Sequence, residues 1–191
     1  MTILVNLYGG PGAGKSTLAT RVYSALKMSN VNAEYVPEFA KEITWQERFH
    51  ILQNQMLVTG TQIQRILDLK DKVDVIVTDS PMEMGRFYMD REIMARAVTA
   101  EAQIASIGFS ELNYFVRRDD TYLEKGRTQS RSEATEIDDN ILAYLRSFQR
   151  PYTDVQKTEA HAERIVTDVL SIRQRNTDAQ EPQADSEPVS S

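Results

Sequence analysis

Short apolar runs alternate along the chain with longer segments in which apolar residues recur every three or four positions. The runs have the length and the β-branched content of strands, whereas the periodic segments have the pattern of helices. Strands are predicted at 2–8, 33–37, 73–78, 112–117 and 163–167. Helices are predicted at 14–28, 45–70, 86–107 and 131–148, with a short helix after the fifth strand. This alternation predicts an α/β fold with a five-stranded parallel sheet and helices on both faces.

Two helix starts carry the signature of a capping box, in which a hydroxyl and a glutamate three residues later cap each other's backbone N–H groups. Thr44 with Glu47 is predicted to begin the long second helix, and Ser130 with Glu133 the fourth. Residues that follow the strands are expected to meet at one edge of the sheet, because parallel sheets place ligand sites at their carboxyl ends.

A glycine-rich segment joins the first strand to the first helix and fits the P-loop pattern G-x-x-x-x-G-K-[ST]. Its glycines allow backbone N–H groups to turn towards a polyphosphate, and the following helix directs its positive end at the anion. Lys15 is predicted to reach the β- and γ-phosphates of ATP, and the Ser16 hydroxyl to ligate Mg²⁺. The predicted nucleotide-binding segment comprises Gly9, Gly10, Pro11, Gly12, Ala13, Gly14, Lys15, Ser16 and Thr17. The alternative is a glycine-rich turn in which the Lys-Ser pair is accidental.

Two acidic residues follow predicted strands at the same edge. Asp79 ends the third strand, where P-loop proteins hold Mg²⁺ directly or through water. Glu38 follows the second strand, and its carboxylate is predicted to accept the proton of an acceptor hydroxyl during phosphoryl transfer. The alternatives are a turn residue for Asp79 and a glutamate that interacts with a helix dipole for Glu38.

A polar segment after the fourth strand carries five basic residues among the fifteen of 117–131. Cationic groups are needed around the γ-phosphate, and mobile arginines supply them on closure. The segment is therefore predicted to form an arginine-bearing lid, in which Arg127 contacts the γ-phosphate and Arg117 and Arg118 help to bind the nucleotide. A solvated charged loop is the alternative. Trp45 and Phe49 are expected in a core or groove, with contact to a base as the alternative. Arg86, Phe87 and Tyr88 are candidates for lining the acceptor pocket.

Composition adds further limits. The chain has 191 residues, a net charge of −6 and no cysteine, which excludes disulfides and thiolate-bound metals. Residues 176–191 carry four acidic and no basic side chains, so they are predicted to form a disordered acidic tail after a P-loop kinase domain at 1–175. The first apolar run is too short for the apolar region of a signal peptide, and no run reaches a membrane span, so an unsecreted protein without membrane partners is expected.

The motifs together support a resemblance. Gly9–Thr17, 38–42, 78–81 and 126–134 resemble segments of the small phage P-loop kinases related to nicotinamide riboside kinases. Within that group, the chain is similar over about 1–170 to phage DNA kinases that phosphorylate 5-hydroxymethyluracil during thymine hypermodification. The resemblance implies a P-loop NTPase fold, ATP and Mg²⁺ as cofactors, and hydroxymethyluracil-containing DNA as the acceptor. Lys15, Glu38, Asp79 and Arg127 would then be catalytic, with Ser16 and Asp79 at the metal.

Three functions remain open at this point. The first is the DNA-base kinase, acting in the cytoplasm of an infected bacterial host to shield viral DNA from restriction. The second is a kinase for a free nucleoside, a nucleotide or nicotinamide riboside. The third is a P-loop ATPase or a nucleotide-gated interaction module. The motifs shared with the kinase group do not choose between the first two, and they leave the oligomeric state open.

Overall fold

A computed structural model describes residues 1–119 and 131–178. Five parallel strands form one sheet in the order β2-β3-β1-β4-β5, which confirms the predicted α/β fold. The strands are β1 (Ile3–Tyr8), β2 (Ala33–Val36), β3 (Val75–Thr78), β4 (Ser110–Val116) and β5 (Thr153–Val155). The helices are α1 (Lys15–Met28), α2 (Phe39–Trp45), α3 (Phe49–Leu52), α4 (Gln55–Leu67), α5 (Glu92–Ala105), α6 (Arg131–Ser147) and α7 (Glu159–Asp178), with a 3₁₀ helix at Met84–Tyr88.

Helices cover both faces of the sheet, because alternate residues of each strand point to opposite faces. On one face, Val5 and Val77 pack with α1 and α7 through residues such as Leu18 and Ile165. On the other face, Leu4 and Ile76 pack against α4 and α5. Tyr8 and Phe115 pack there against α6. The sheet is thus buried on both sides, and its carboxyl edge is left for function.

The fifth strand is a correction to the sequence prediction. Residues 163–167 lie in α7, and the strand is Thr153–Val155. The buried residues Ala162, Ile165, Val166 and Val169 follow the helical spacing, so the apolar run was the core face of a helix. The true strand has only three residues, too few to show a period. Helix α7 also extends to Asp178, so it includes 176–178 of the predicted tail; residues 179–191 lie outside the described residues.

The prediction of one long helix at 45–70 is also wrong. It is divided into α2, α3 and α4, and Thr44 donates its hydroxyl to the carbonyl of Ala40 inside α2 instead of capping a helix. Glu47 adopts a left-handed conformation with φ 57°, which ends α2. Asn54, which the sequence prediction overlooked, caps α4 by accepting the N–H of Leu57. The predicted helix at 86–107 likewise begins as a separate 3₁₀ helix. The predicted cap at Ser130 lies outside the described residues.

A buried polar network supports the strand that leads into the P-loop. Arg150 contacts Glu83 at 2.9 Å and Glu111 at 3.3 Å, and the hydroxyl of Tyr8 donates to Glu83 at 2.7 Å. Arg150 reaches this position because Gln149 (φ 50°) turns the chain sharply after α6. The network therefore joins the end of β1, the segment after β3 and the end of α6.

Candidate nucleotide and acceptor site

The P-loop encloses the first turn of α1 and leaves no room for larger residues at two of its glycines. Gly14 has φ 98°, a conformation that residues with a Cβ rarely adopt. A Cβ at Gly10 would lie 2.6 Å from the carbonyl oxygen of Ala134 in α6. The loop is therefore fixed both by its own backbone conformation and by the close approach of α6.

Lys15 is buried at the centre of this loop. Its ammonium group donates to the carbonyl oxygens of Gly9 at 2.6 Å and Gly10 at 3.1 Å. Burial lowers the pKa of Lys15, while the nearby carboxylates of Glu38 and Asp79 oppose that shift. The ammonium thus stands inside the segment predicted to wrap the phosphates, with acidic groups nearby.

Asp79 is only 1% exposed and is linked to Ser16 by a residue that sequence analysis did not single out. The Tyr35 side chain lies beside those of Asp79 and Ser16, and the pKa of its hydroxyl is raised first by burial and then by the Asp79 charge. Tyr35 is the last residue but one of β2, and its side chain lies at the same edge of the sheet as the P-loop. The structure brings Ser16 and Asp79 to one place, with Tyr35 between them.

The donors at this place fit Mg²⁺. A hydroxyl and a carboxylate are oxygen ligands, and Mg²⁺ in phosphate sites commonly uses one or two protein ligands and completes its shell with water and phosphate. Among residues 1–119 and 131–178, no cluster of three or more histidine, cysteine or acidic side chains could hold a metal. A sparse site completed by the nucleotide is therefore the arrangement that these residues suit.

Glu38 lies next to Asp79, at the start of α2. Its backbone N–H donates to Asp79 Oδ1 at 2.9 Å, and its side chain makes no capping hydrogen bond to α2. The helix N-terminus is satisfied instead by Gln62, whose amide oxygen accepts the N–H of Phe39 at 2.9 Å. Burial raises the pKa of the Glu38 carboxyl, Lys15 opposes the shift and Asp79 adds to it. The carboxylate is thus left for a role other than capping.

Arg117 and Arg118, both predicted to help bind the nucleotide, have different environments. Arg118 packs against the P-loop with about a tenth of its side chain exposed, pairs with Asp138 at 2.9 Å and donates to the carbonyl of Pro11. Arg117 forms an exposed ion pair with Asp154 at 2.8 Å, beside β5. Arg118 therefore braces the P-loop, while Arg117 lies at the sheet edge. Their contact with nucleotide stays a prediction, and Arg127, with 120–130, lies outside the described residues.

Asp138 is a residue that sequence reasoning missed. Its carboxylate accepts the Gly10 N–H with one oxygen and pairs with Arg118 through the other. The sequence does contain one sign of its role: Asp138 is an acid four residues after Ala134, on the apolar face of α6. An ionised side chain in a buried stripe requires partners, and here the P-loop supplies one of them.

A cleft of about 660 Å³ opens beside Lys15 and Glu38, and helices α2–α4 form its far side. Binding pockets commonly measure about 300–1,000 Å³. Trp45 and Phe49 line its outer part, so they form a groove rather than a core. A further space of about 40 Å³ shares Lys15, Glu38, Gln55 and Tyr88 with the cleft and continues past Asp79. Tyr88 lines both spaces, and its contact with an acceptor stays a prediction. Arg86 packs on the Tyr144 ring and donates to Thr99, and Phe87 packs edge-on against the same ring.

The inner space contains one unsatisfied polar group. The Thr59 hydroxyl is buried and has no hydrogen-bond partner among the described residues. It packs against Gly85, where any added Cβ would overlap it.

The fold and this site define a P-loop protein that binds nucleotides, of the kinase or ATPase type. The family model for an AAA domain matches residues 4–164, and the chain belongs to this family. No curated protein sequence matches the chain. In the part of the chain that the structure describes, no helix combines the length and the apolar character needed to cross a bilayer.

Proposed function

We propose that this protein transfers the γ-phosphoryl group of ATP to the hydroxymethyl oxygen of 5-hydroxymethyluracil in phage DNA. The acceptor oxygen attacks the γ-phosphorus, the bond to the β-phosphate oxygen breaks, and ADP leaves. The proton of the acceptor hydroxyl passes to Glu38. The product carries a phosphate that later steps of thymine hypermodification can displace, in the cytoplasm of an infected bacterial host.

The chain's own residues divide this work. The P-loop N–H groups and Lys15 bind and orient the phosphates, and Arg127 is proposed to approach the γ-phosphate. Ser16 and Asp79 would hold Mg²⁺, which neutralises phosphate charge when bound. Glu38 holds the transferred proton, and its raised pKa brings it closer to the pKa range in which a base works well near neutral pH.

The observation that carries a transferase is the position of Glu38. It lines the same cleft as Lys15, and its carboxylate does not cap the helix that it precedes. A base beside the phosphate site and open to a cleft of nucleoside size favours an organic hydroxyl as the acceptor. The choice of hydroxymethyluracil in DNA comes from the resemblance of the P-loop, 38–42, 78–81 and 126–134 to the phage DNA kinases.

Two alternatives have support of their own. The cleft volume also suits a free nucleoside, a nucleotide or nicotinamide riboside as acceptor. The AAA family match favours a P-loop ATPase or a nucleotide-gated interaction module. An ATPase would turn over ATP without any added acceptor, whereas a kinase would require one.

The test is a transfer assay with γ-labelled ATP and four acceptors: hydroxymethyluracil DNA, thymine DNA of the same sequence, the free modified nucleoside and nicotinamide riboside. We expect label in the first DNA and none in the second, because the thymine methyl group has no oxygen to attack phosphorus. Glu38→Gln should slow transfer strongly, while Glu42→Gln, at an exposed carboxylate paired with Arg65, should not. Label only in a free nucleoside would establish the second function, and acceptor-independent ATP hydrolysis the third.

A further inference from the structure

The outer part of the cleft exposes two large aromatic side chains. Trp45 is 73% exposed and Phe49 51% exposed, and both line the cleft that contains Lys15 and Glu38. Aromatic side chains tend to be buried in cores or used at contact surfaces, so a pair left in water beside a functional cleft points to a ligand. We call Trp45 and Phe49 together the aromatic rim.

The rim is held by backbone structure. Helix α2 ends at Trp45, and the next turn returns the chain so that α3 begins at Phe49. The N–H of Arg48 donates to the carbonyl of Ile43 and the N–H of Glu47 to that of Thr44, each at 3.1 Å. These paired bonds around a left-handed residue form a Schellman motif, which fixes the end of a helix. Because the backbone of this turn is already fixed, binding of a flat ligand by the rim requires little further ordering of the chain.

Charged groups beside the rim favour a polyanion. Lys41 lines the cleft, and Arg48 lies in the turn between the two aromatic residues. Of the acidic neighbours, Glu42 is neutralised by Arg65 at 2.8 Å, while the Arg48 guanidinium donates to the neutral amide oxygen of Gln46 at 3.2 Å and keeps its charge. Aromatic faces with cations along their edge are the combination that binds single-stranded nucleic acid, in which bases are free to stack on side chains.

We propose that the aromatic rim stacks on bases that flank the acceptor base of an unpaired DNA strand, with Lys41 and Arg48 alongside its phosphates. This inference rests on DNA being the substrate of the proposed function. It adds that the strand must be single or locally opened, because a duplex hides the faces of its bases. The rim therefore sets a preference for single-stranded over duplex DNA and for a strand over a free nucleoside.

Trp45 is the single tryptophan of the chain, so its fluorescence reports on the rim directly. The full-length protein is titrated, without ATP, with an unmodified single-stranded thymine oligonucleotide, with the same strand in a duplex, and with free thymidine. We expect saturable quenching by the single strand at much lower concentration than by the other two. Phe49→Ala should weaken that binding about tenfold.

The matched control is Phe148→Ala, which removes a phenylalanine of similar exposure (45%) that does not line the cleft. It should leave the titration unchanged. A second measurement, anisotropy of a labelled strand, allows Trp45→Ala to be tested as well; circular dichroism shows whether each variant is folded. The inference is overturned if the single strand does not quench, if the duplex or thymidine binds equally well, or if folded Phe49→Ala binds like the parent.

The proposed function and this inference fail separately. Rim-dependent binding of single strands without phosphate transfer to hydroxymethyluracil DNA would remove the function and keep the rim as a nucleic-acid site. Phosphate transfer to that DNA with no effect of Trp45→Ala or Phe49→Ala on binding would keep the function and remove the inference.

Discussion

The backbone N–H of Glu38 donates to the Asp79 carboxylate across 2.9 Å, so the segment after β2 is tied to the end of β3. The proposed base and the proposed metal ligand are therefore held together through one hydrogen bond. The Tyr35 side chain lies beside the same carboxylate, whose charge raises the pKa of the Tyr35 hydroxyl. Changes at Asp79 should consequently be read both as loss of charge and as loss of this connection.

Asp79→Asn tests the charge alone, because the amide oxygen can still accept from the Glu38 N–H. We expect activity to fall by orders of magnitude and the Mg²⁺ requirement to rise, since a neutral amide holds the metal poorly. Tyr35→Phe should give a smaller rise in the Mg²⁺ requirement, because it removes only the hydroxyl between Ser16 and Asp79. Activity is measured against Mg²⁺ concentration for both variants. An Asp79→Asn curve that overlays the parent's would make Asp79 a turn residue without a role at the metal.

Lys15→Ala should reduce transfer by about a hundredfold or more, because the cation beside the phosphates is lost. The fold should remain intact, since the lysine's own bonds go to P-loop carbonyls and no long-range structure depends on them. The control is Lys27→Ala, which removes a half-exposed lysine at the other end of α1 and should leave the transfer rate unchanged. Turnover near the parent's in a folded Lys15→Ala protein would contradict the phosphate assignment of the loop.

The raised pKa of Glu38 predicts a pH dependence of both rate and stability. Transfer should increase with pH through a pKa above the ordinary 4.5, and Glu38→Gln should abolish that limb of the profile. Stability should change with pH in the opposite direction to the rate. Burial raises the pKa of Glu38 in the folded state and so favours its protonated form, which means that the free energy of unfolding is higher at low pH and falls as the pH rises. Glu38→Gln should therefore raise the melting temperature at pH 7 more than at pH 4. An equal shift at both values would show that the carboxyl is not perturbed.

Alanine substitution should have opposite effects on stability at two glycines, Gly85 beside the inner space and the exposed Gly60 on α4. Gly85→Ala should destabilise the fold by about 1–3 kcal/mol, because its Cβ would overlap the Thr59 hydroxyl. Gly60→Ala has open space around its Cβ on α4, so it should stabilise the fold by about 0.5–1 kcal/mol. Thr59→Ala should recover part of the Gly85→Ala loss in a double-mutant cycle. Urea unfolding measures all four; strict additivity at 59 and 85 would exclude the clash.

The sequence predicted the parts of this protein that have a strong local signal. The P-loop, four of the five strands and the position of both acids after their strands follow from motif and run length, and the parallel sheet follows from the alternation of elements. The roles of the two acids stay predictions. The break after α2 was hidden because Glu47 occupies a left-handed turn where glycine would have marked it. Tyr35, Gln62 and Asp138 were missed because their roles depend on contacts between segments far apart in the chain. Of the three, only Asp138 left a local sign, as an acid within the apolar stripe of α6.

The Tyr8–Glu83–Arg150 network places a condition on the order in which the protein becomes complete during synthesis. The P-loop is among the first segments to be synthesised. Arg150, which neutralises the Glu83 carboxylate next to the end of β1, is synthesised only after most of the chain. A nascent chain that ends before residue 150 leaves the buried Glu83 carboxylate without its cation, a state that costs several kcal/mol. We expect nucleotide affinity to appear late, once Arg150 has left the ribosome, and binding of a fluorescent ATP analogue to stalled chains of increasing length would locate that point.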